Sequence, residues 1–148
     1  MIEVFTHSQE ETKKISALLA KELLKEPLQK NAVVLALEGD LGGGKTTFLQ
    51  GFARGLGIRK QVLSPTFVIA QKFAIRSTRF KNFYHLDCYR VDHPRELLGI
   101  GFKEVLAENT NIVAIEWSSR IAPLLPKDAI KITFDFVDEN TRKLSFSF

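Results

Sequence analysis

Cysteine is almost absent from the sequence, and its hydrophobic runs are short. Cys88 is the single cysteine among 148 residues, so no disulfide can form within the chain and the fold does not depend on an oxidising compartment. The longest apolar run, residues 32–37, has six residues, whereas a membrane-spanning helix needs about 20. The first residues, Met1 to Glu3, lack the basic and apolar character of a signal peptide. We therefore expect a cytoplasmic protein without a membrane partner.

Acidic residues are missing from one third of the chain. No aspartate or glutamate lies between Asp40 and Asp87, yet eight of the 21 basic residues lie there. The remainder carries more acidic than basic residues, so the net charge of +4 comes from this segment. The segment is either a solvated basic face or a surface that faces anions. Its basic residues are Lys45, Arg54, Arg59, Lys60, Lys72, Arg76, Arg79 and Lys81.

The hydrophobic pattern predicts helices that alternate with strands. A capping box at Ser8 and Glu11 opens a helix that Pro27 ends. The apolar run at 32–37 predicts a strand buried on both faces. Further strands are expected at 2–6 and 112–115, hairpins within 66–86 and 130–148, and helices at 45–56 and from Pro94. We expect one α/β domain over residues 1–148, whose mixed sheet has a parallel centre, antiparallel hairpins and helices on both faces.

Two of these helices have an apolar face that we expect to point inward. In the first helix the inward residues are Ile15, Leu18, Leu19 and Leu23. In the helix that starts at Pro94 they are Leu97, Leu98, Phe102, Val105 and Leu106.

A glycine-rich motif follows the strand at 32–37. Residues 39–46, Gly-Asp-Leu-Gly-Gly-Gly-Lys-Thr, match the phosphate-binding pattern G-x-x-x-x-G-K-[ST]. Glycines let a loop curl so that its backbone N–H groups point at a phosphate, and the next helix presents its positive N-terminal end to the same anion. Lys45 can then reach the β- and γ-phosphates, and the Thr46 hydroxyl can ligate Mg²⁺. The sequence therefore predicts a P-loop nucleotide-binding domain.

A phosphate-binding loop of this kind needs a carboxylate near the metal, usually at the end of a neighbouring strand. Glu116 ends the apolar run at 111–116 and is our candidate, although an ordinary surface glutamate would occupy the same place in the sequence. Trp117, the single tryptophan, is either a core residue or a platform beside the ligand.

Two further segments are weaker signals. Residues 64–67, Ser-Pro-Thr-Phe, read as a proline-stiffened turn that presents hydroxyls. Strand alternation puts His85, Asp87 and Tyr89 on one face. A carboxylate between a histidine and a tyrosine is either part of a buried polar network or a base that orients water. We expect Cys88 to be an inert core residue.

Four segments together resemble the TsaE family, formerly called YjeE. They are residues 39–48, 64–67, 85–90 and 115–117, which occur in the family's order and spacing. The resemblance runs from about Thr6 to the last hairpin and implies a P-loop α/β fold with a mixed sheet. It also implies ATP and Mg²⁺ as cofactors. Gly43 departs from the family, which usually has alanine there, as do Leu86 and Cys88, which replace phenylalanine and leucine.

The resemblance implies roles for individual residues. The residues implied for ATP binding are Gly42, Gly43, Gly44, Lys45, Thr46 and Thr47, with Trp117 beside them. The implied metal contacts are Thr46 and Glu116, and the resemblance implies that the position of Asp87 is important for activity. The catalytic candidates are therefore Lys45, which with Mg²⁺ would offset developing charge, and Asp87 or Glu116, one of which would place the water. The segment that resembles a switch is Ser64, Pro65 and Thr66. The family's adenine pocket lies between the N-terminal segment and the C-terminal hairpin, and its candidates here are Thr12 and Arg142.

The resemblance also implies a function. TsaE proteins are small bacterial ATPases of the machinery that makes threonylcarbamoyladenosine at position 37 of tRNAs reading ANN codons. They act with the TsaD–TsaB heterodimer, are slow alone and are thought to reset the complex between turnovers. We expect tRNA as a partner through the complex, and no DNA. The basic segment is expected to make a salt-dependent contact with tRNA or an acidic protein face, which charge reversal at Arg76 and Arg79 would weaken.

Two other functions remain open. A small-molecule kinase would need a lid that carries arginines, for which residues 76–79 are the one short candidate. A non-catalytic nucleotide- or RNA-binding module would bind ATP without hydrolysing it. A GTPase is disfavoured because no aspartate has the Asn/Thr-Lys-x-Asp context that reads guanine.

Overall fold

The computed structural model describes residues 1–40, 44–62, 70–77 and 79–148. Two 3-10 helices, Pro94–Ile100 and Ser118–Leu124, lie among the described residues. The α-helices are α1 (Gln9–Lys25), α2 (Lys45–Gly55) and α3 (Phe102–Ala107). The strands are β1 (Ile2–Thr6), β2 (Val33–Gly39), β3 (Ala70–Ala74), β4 (Asn82–Asp87), β5 (Asn111–Glu116), β6 (Ile130–Phe136) and β7 (Arg142–Ser147).

The strands of the described chain form one mixed sheet in the order β1-β7-β6-β2-β5-β4-β3. Strands β6, β2, β5 and β4 run parallel, whereas β1, β7 and β3 pair antiparallel at the two edges. Every residue of β5 is buried, as are the first five of β2, which is the pattern of parallel strands covered on both faces. The predicted parallel centre and both predicted antiparallel hairpins are confirmed.

Helices cover both faces of the sheet, as predicted. On one face, Leu35 of β2 packs with Phe48 and Phe52 of α2, and α1 lies against the same cluster. On the other face, Val34 packs with residues of α3 and of the two 3-10 helices, such as Phe102. Because Val34 and Leu35 are adjacent in β2, their side chains point to opposite faces. None of the helices within the described ranges is long and apolar enough to cross a membrane.

Helix α1 begins with the predicted cap. The Ser8 hydroxyl accepts the backbone N–H of Glu11 at 3.1 Å, and the Glu11 carboxylate accepts the N–H of His7. The helix ends at Lys25, before Pro27. One predicted inward residue is wrong: Leu18 is 58% exposed. The buried side chains are instead Thr12, Ser16 and Ala20.

Two glycines of α2 explain this choice of face. A Cβ at Gly51 would lie 2.3 Å from Ser16 Oγ, and one at Gly55 would lie 2.5 Å from the Ala17 carbonyl oxygen. Helices α1 and α2 therefore touch backbone to backbone. The small residues of α1 face this contact, while Ile15, Leu19 and Leu23 pack beside it.

The predicted helix from Pro94 is two separate elements. A 3-10 helix covers Pro94–Ile100, Gly101 has a φ of +82°, and α3 follows. Leu97 and Phe102 are buried as predicted, but Leu98 is 43% exposed. Because the helix is broken at Gly101, the apolar side chains of the two pieces do not lie along one continuous helical face.

Candidate functional site

Three strands of the sheet end side by side and bring polar residues together. β2 ends at Gly39, β4 at Asp87 and β5 at Glu116. Glu116 is the register partner of Asp87 in β4 and of Leu37 in β2. Ligands of parallel α/β sheets bind outside the carboxyl ends of the strands. The described residues therefore place two of the predicted catalytic carboxylates at the usual ligand-binding edge.

Lys45, at the start of α2, is the most enclosed cation of this edge. Its side chain is 5% exposed, and its ammonium donates to the carbonyl oxygens of Gly39 and, at 2.9 Å, Asp40. The Nζ also lies 4.5 Å from the centre of the Trp117 ring. Burial lowers the pKa of Lys45, and the carboxylates around it, Glu116 foremost, partly oppose that shift.

Glu116 links Lys45's neighbour Thr46 to a buried histidine. The Thr46 hydroxyl donates to Glu116 Oε1 at 3.4 Å, and His85 Nε2 lies 2.6 Å from Glu116 Oε2. His85 Nδ1 is 3.2 Å from Oε1 of Gln71. Glu116 is 3% exposed and His85 is fully buried, so the carboxylate has a fixed orientation. A polar network of His85 with Asp87 and Tyr89 was one of two interpretations of the sequence. The described partners of His85 are instead Glu116 and Gln71, and nothing in the local sequence signals Gln71.

Asp87 is the more open of the two carboxylates. It is half-buried at the end of β4, and its Oδ1 accepts the Tyr89 backbone N–H at 3.0 Å. The predicted common face for His85, Asp87 and Tyr89 fails at Tyr89, because β4 ends at Asp87 and alternation stops there. Tyr89 is 41% exposed, and its ring packs on Trp117 with centroids 5.1 Å apart. Cys88 is fully buried, as predicted, and burial raises the pKa of its thiol to about 12.

Trp117 occupies an unusual backbone conformation at this site. Its φ is +56°, the single positive value among the described residues other than glycine, and such a conformation costs about 1–2 kcal/mol. Glu38 holds the turn that follows, because its carboxylate accepts the Ser119 N–H at 2.8 Å. Ser118 lies 3.5 Å from the same oxygen. Glu38 was not among the predicted site residues, although its place at the end of the apolar strand signals it.

The donor set fits a phosphate and a magnesium ion. Gly44 is the N-cap of α2, has a φ of +100° and provides no side-chain cap, so the N-terminal turn, which includes the half-buried Thr47, presents backbone N–H groups. The Thr46 hydroxyl and the Glu116 carboxylate are the hard oxygen ligands that Mg²⁺ takes. Within the described ranges no group of three or more His, Cys, Asp or Glu side chains could hold a metal. Mg²⁺ fits this site because it is usually held by one or two side chains plus substrate phosphates.

The two candidates for the adenine pocket lie at one corner of the sheet. Thr6 pairs with Arg142 in the β1–β7 register, and its hydroxyl lies 2.7 Å from that of Thr12. Thr12 is 3% exposed, and its hydroxyl also donates to the Ser8 carbonyl, so it serves packing within the chain. Arg142 lies over the Phe136 ring at 4.7 Å, and a Cβ at Gly44 would be 4.0 Å from its Cγ. Arg142 thus borders the start of α2.

Some predicted residues lie outside the described part of the chain. They are Gly42 and Gly43 of the glycine-rich motif, and Ser64, Pro65 and Thr66 of the predicted switch. Their roles stay predictions.

The fold and the site define a single α/β domain with a mixed sheet and a polar site at its carboxyl edge. The family model described as "Threonylcarbamoyl adenosine biosynthesis protein TsaE" matches residues 6–144. The chain belongs to the TsaE family.

Relatives in distant bacteria support this assignment. The tRNA threonylcarbamoyladenosine biosynthesis protein TsaE of Rickettsia felis is 39% identical over 94% of this chain and 75% of that protein. The protein of the same name in Bacillus subtilis is 36% identical over 96% of this chain and 82% of its own length. The crystal structure of Bacillus subtilis YdiB superimposes with a TM-score of 0.74 at 32% identity, covering 98% of this chain and 83% of that one.

Proposed function

We propose that the chain is a Mg²⁺-dependent ATPase of tRNA threonylcarbamoyladenosine biosynthesis. In this proposal it acts in the cytoplasm, hydrolyses ATP slowly alone, and supports turnover of a TsaD–TsaB transferase that modifies position 37 of ANN-decoding tRNAs. The relatives named above are biosynthesis proteins of this modified nucleoside. The observation that carries the ATPase is the contact of Thr46 with Glu116 beside the buried Lys45.

Lys45 and the start of α2 bind the triphosphate in this proposal. An ammonium has three N–H donors, and the Gly39 and Asp40 carbonyls accept two of them. The third serves a phosphate oxygen. The N-terminal turn of α2 adds backbone N–H groups and the positive end of the helix dipole. All of these groups stabilise the negative charge of the γ-phosphate.

The two carboxylates have separate tasks. Glu116 already contacts Thr46 and His85, so we assign it, with Thr46, to Mg²⁺. When bound there, Mg²⁺ would supply charge neutralisation for the triphosphate. Asp87 is more exposed, and we assign it to orient the attacking water. The water oxygen bonds to the γ-phosphorus while the bond to the β-phosphate oxygen breaks. ADP and inorganic phosphate leave, and the water proton passes to solvent.

Phosphate release tests the proposal directly. The intact chain is mixed with MgATP, with and without a purified TsaD–TsaB pair, and inorganic phosphate is measured. We expect slow release alone, faster release with the pair, and a loss of at least about tenfold in Thr46→Ala. Lys103→Ala, an exposed lysine on α3, is the matched control and keeps the rate.

Three results would contradict the proposal. Thr46→Ala could hydrolyse ATP normally. A phosphorylated metabolite could appear in place of free phosphate, which would indicate a kinase. ATP could bind without any hydrolysis even when the pair is present, which would indicate a binding module.

A further inference from the structure

A second concave site lies at the far end of α2 from Lys45. It is a cleft of about 680 Å³ where α2 ends and the chain continues through residues 57–62, with Lys13 of α1 on its side. Helix α2 has 11 residues, so its two ends are about 15 Å apart. The cleft is therefore separate from the candidate nucleotide site.

The cleft is lined by basic and amide side chains. Of the nine described residues that line it, none is acidic, four are basic and two are glutamines. The basic residues are Lys13, Arg54, Arg59 and Lys60, and the glutamines are Gln50 and Gln61. Convergent cations in a concave surface create a focused positive potential.

The cations of the cleft have little compensation within the protein. Arg54, Arg59 and Lys60 are exposed and form no ion pair with any described residue. Lys13 is partly buried, and its ammonium lies 3.8 Å from the exposed carboxylate of Glu10, a long surface contact that contributes little.

Arg79 differs from the cleft residues. Its guanidinium donates to the Lys25 and Glu26 carbonyls at the end of α1, so it stabilises the C-terminus of that helix. The charge-reversal test expected from the sequence at Arg76 and Arg79 would therefore disturb α1. The residues that suit such a test are those of the cleft.

We propose that this cleft binds the sugar–phosphate backbone of RNA. The inference rests on the proposed function, which makes tRNA the substrate of the assembly. Arginine forks match phosphate oxygens, and the glutamines can bond to phosphate or ribose groups. A protein partner is disfavoured because the centre of a protein interface is apolar or aromatic. The apolar residues of this cleft, Ile58 and Val62, are buried.

Binding of tRNA to a charge-reversed variant tests the cleft. Arg59→Glu/Lys60→Glu changes two exposed side chains beyond the end of α2. Lys103→Glu/Lys127→Glu is the matched control, since both lysines are exposed and neither lines the cleft. The anisotropy of a labelled, unmodified ANN-decoding tRNA transcript is measured with each intact chain from about 50 to about 200 mM salt.

We expect the wild-type chain and the control to bind the transcript with a steep salt dependence. The cleft variant binds about tenfold more weakly or worse, and its log–log salt slope falls by about 2, one unit for each lost phosphate contact.

Three results would overturn the inference. The wild-type chain could fail to bind the transcript at the lowest salt. Both double variants could lose affinity equally. The cleft variant could keep its tRNA affinity but no longer associate with the TsaD–TsaB pair, which would make the cleft a protein interface. ATP hydrolysis by the wild-type chain separates the two proposals. A wild-type chain that hydrolyses ATP but does not bind the transcript overturns the cleft alone, and one that binds the transcript without hydrolysing ATP overturns the ATPase.

Discussion

His85 and Glu116 form the most buried polar pair described at the candidate site. His85 Nε2 lies 2.6 Å from Glu116 Oε2, and the two side chains are almost fully enclosed. The imidazole thus holds one oxygen of the carboxylate while the other faces Thr46. His85 is a positioning residue in this arrangement, because it acts through Glu116.

Removing the imidazole is expected to weaken Mg²⁺ binding at the proposed site of Thr46 and Glu116. His85→Ala leaves Glu116 Oε2 buried without its partner, which costs about 1–3 kcal/mol of folding free energy. The Mg²⁺ concentration for half-maximal ATP hydrolysis should rise by about tenfold. His85→Gln, whose amide N–H can replace the imidazole donor, should restore part of the Mg²⁺ dependence. A Mg²⁺ titration of ATPase activity checks this, and an unchanged titration in the alanine variant would refute the positioning role.

Neutralising Asp87 and neutralising Glu116 should have different effects on the kinetics of ATP hydrolysis. Asp87→Asn should lower kcat by about 100-fold or more at saturating Mg²⁺ and leave the Mg²⁺ requirement near that of wild type. Glu116→Gln should raise the Mg²⁺ requirement, and excess Mg²⁺ should recover part of its rate. Steady-state kinetics at several Mg²⁺ concentrations separates the effects. The opposite pattern would exchange the two assignments.

Trp117 should report nucleotide binding. It is the single tryptophan of the chain, and its ring contacts both the Lys45 ammonium and the Tyr89 ring. A triphosphate that draws Lys45 towards itself changes the environment of the indole. We expect ATP and ADP to alter the fluorescence and GTP to do so weakly. Lys45→Ala should lose the response, whereas Lys103→Ala should keep it. An unaltered spectrum at saturating ATP would place the ligand elsewhere.

The contact between α1 and α2 should not tolerate a side chain at Gly55. A methyl group there would lie 2.7 Å from Ala17 Cα and 2.8 Å from Ala20 Cβ. Gly55→Ala should therefore destabilise the fold by about 1–3 kcal/mol. Gly99→Ala is the matched control, because no heavy atom lies within 4 Å of the added Cβ. Urea unfolding measures both, and equal stability of the two variants would contradict the packing.

Local pattern predicted much of the fold. The apolar runs of β2 and β5, the Ser8 cap and both hairpins are local signals, and they were right. The orientation of α1 depends on Gly51 and Gly55, which are far away in sequence, so Leu18 was assigned to the wrong face. Tyr89 was misplaced because nothing nearby shows that β4 ends at Asp87.

In the candidate site, too, some residues are signalled by local sequence and others depend on contacts between distant segments. Lys45, Thr46 and Glu116 could be named as candidates because a loop motif and a carboxylate at a strand end are each visible within one short segment. The contacts of Glu116 with His85, and of His85 with Gln71, depend on the register of β3, β4 and β5. That register is set by packing across the sheet, so the sequence could not supply these pairs.

Isothermal titration calorimetry shows whether Lys45 binds the triphosphate. MgATP is titrated into the intact wild-type chain and into Lys45→Ala, with Lys103→Ala as the control for charge. We expect a measurable heat of binding for the wild type and the control, and an affinity about 10- to 100-fold weaker without the Lys45 ammonium. No heat from the wild-type chain, or equal affinity in Lys45→Ala, would contradict it.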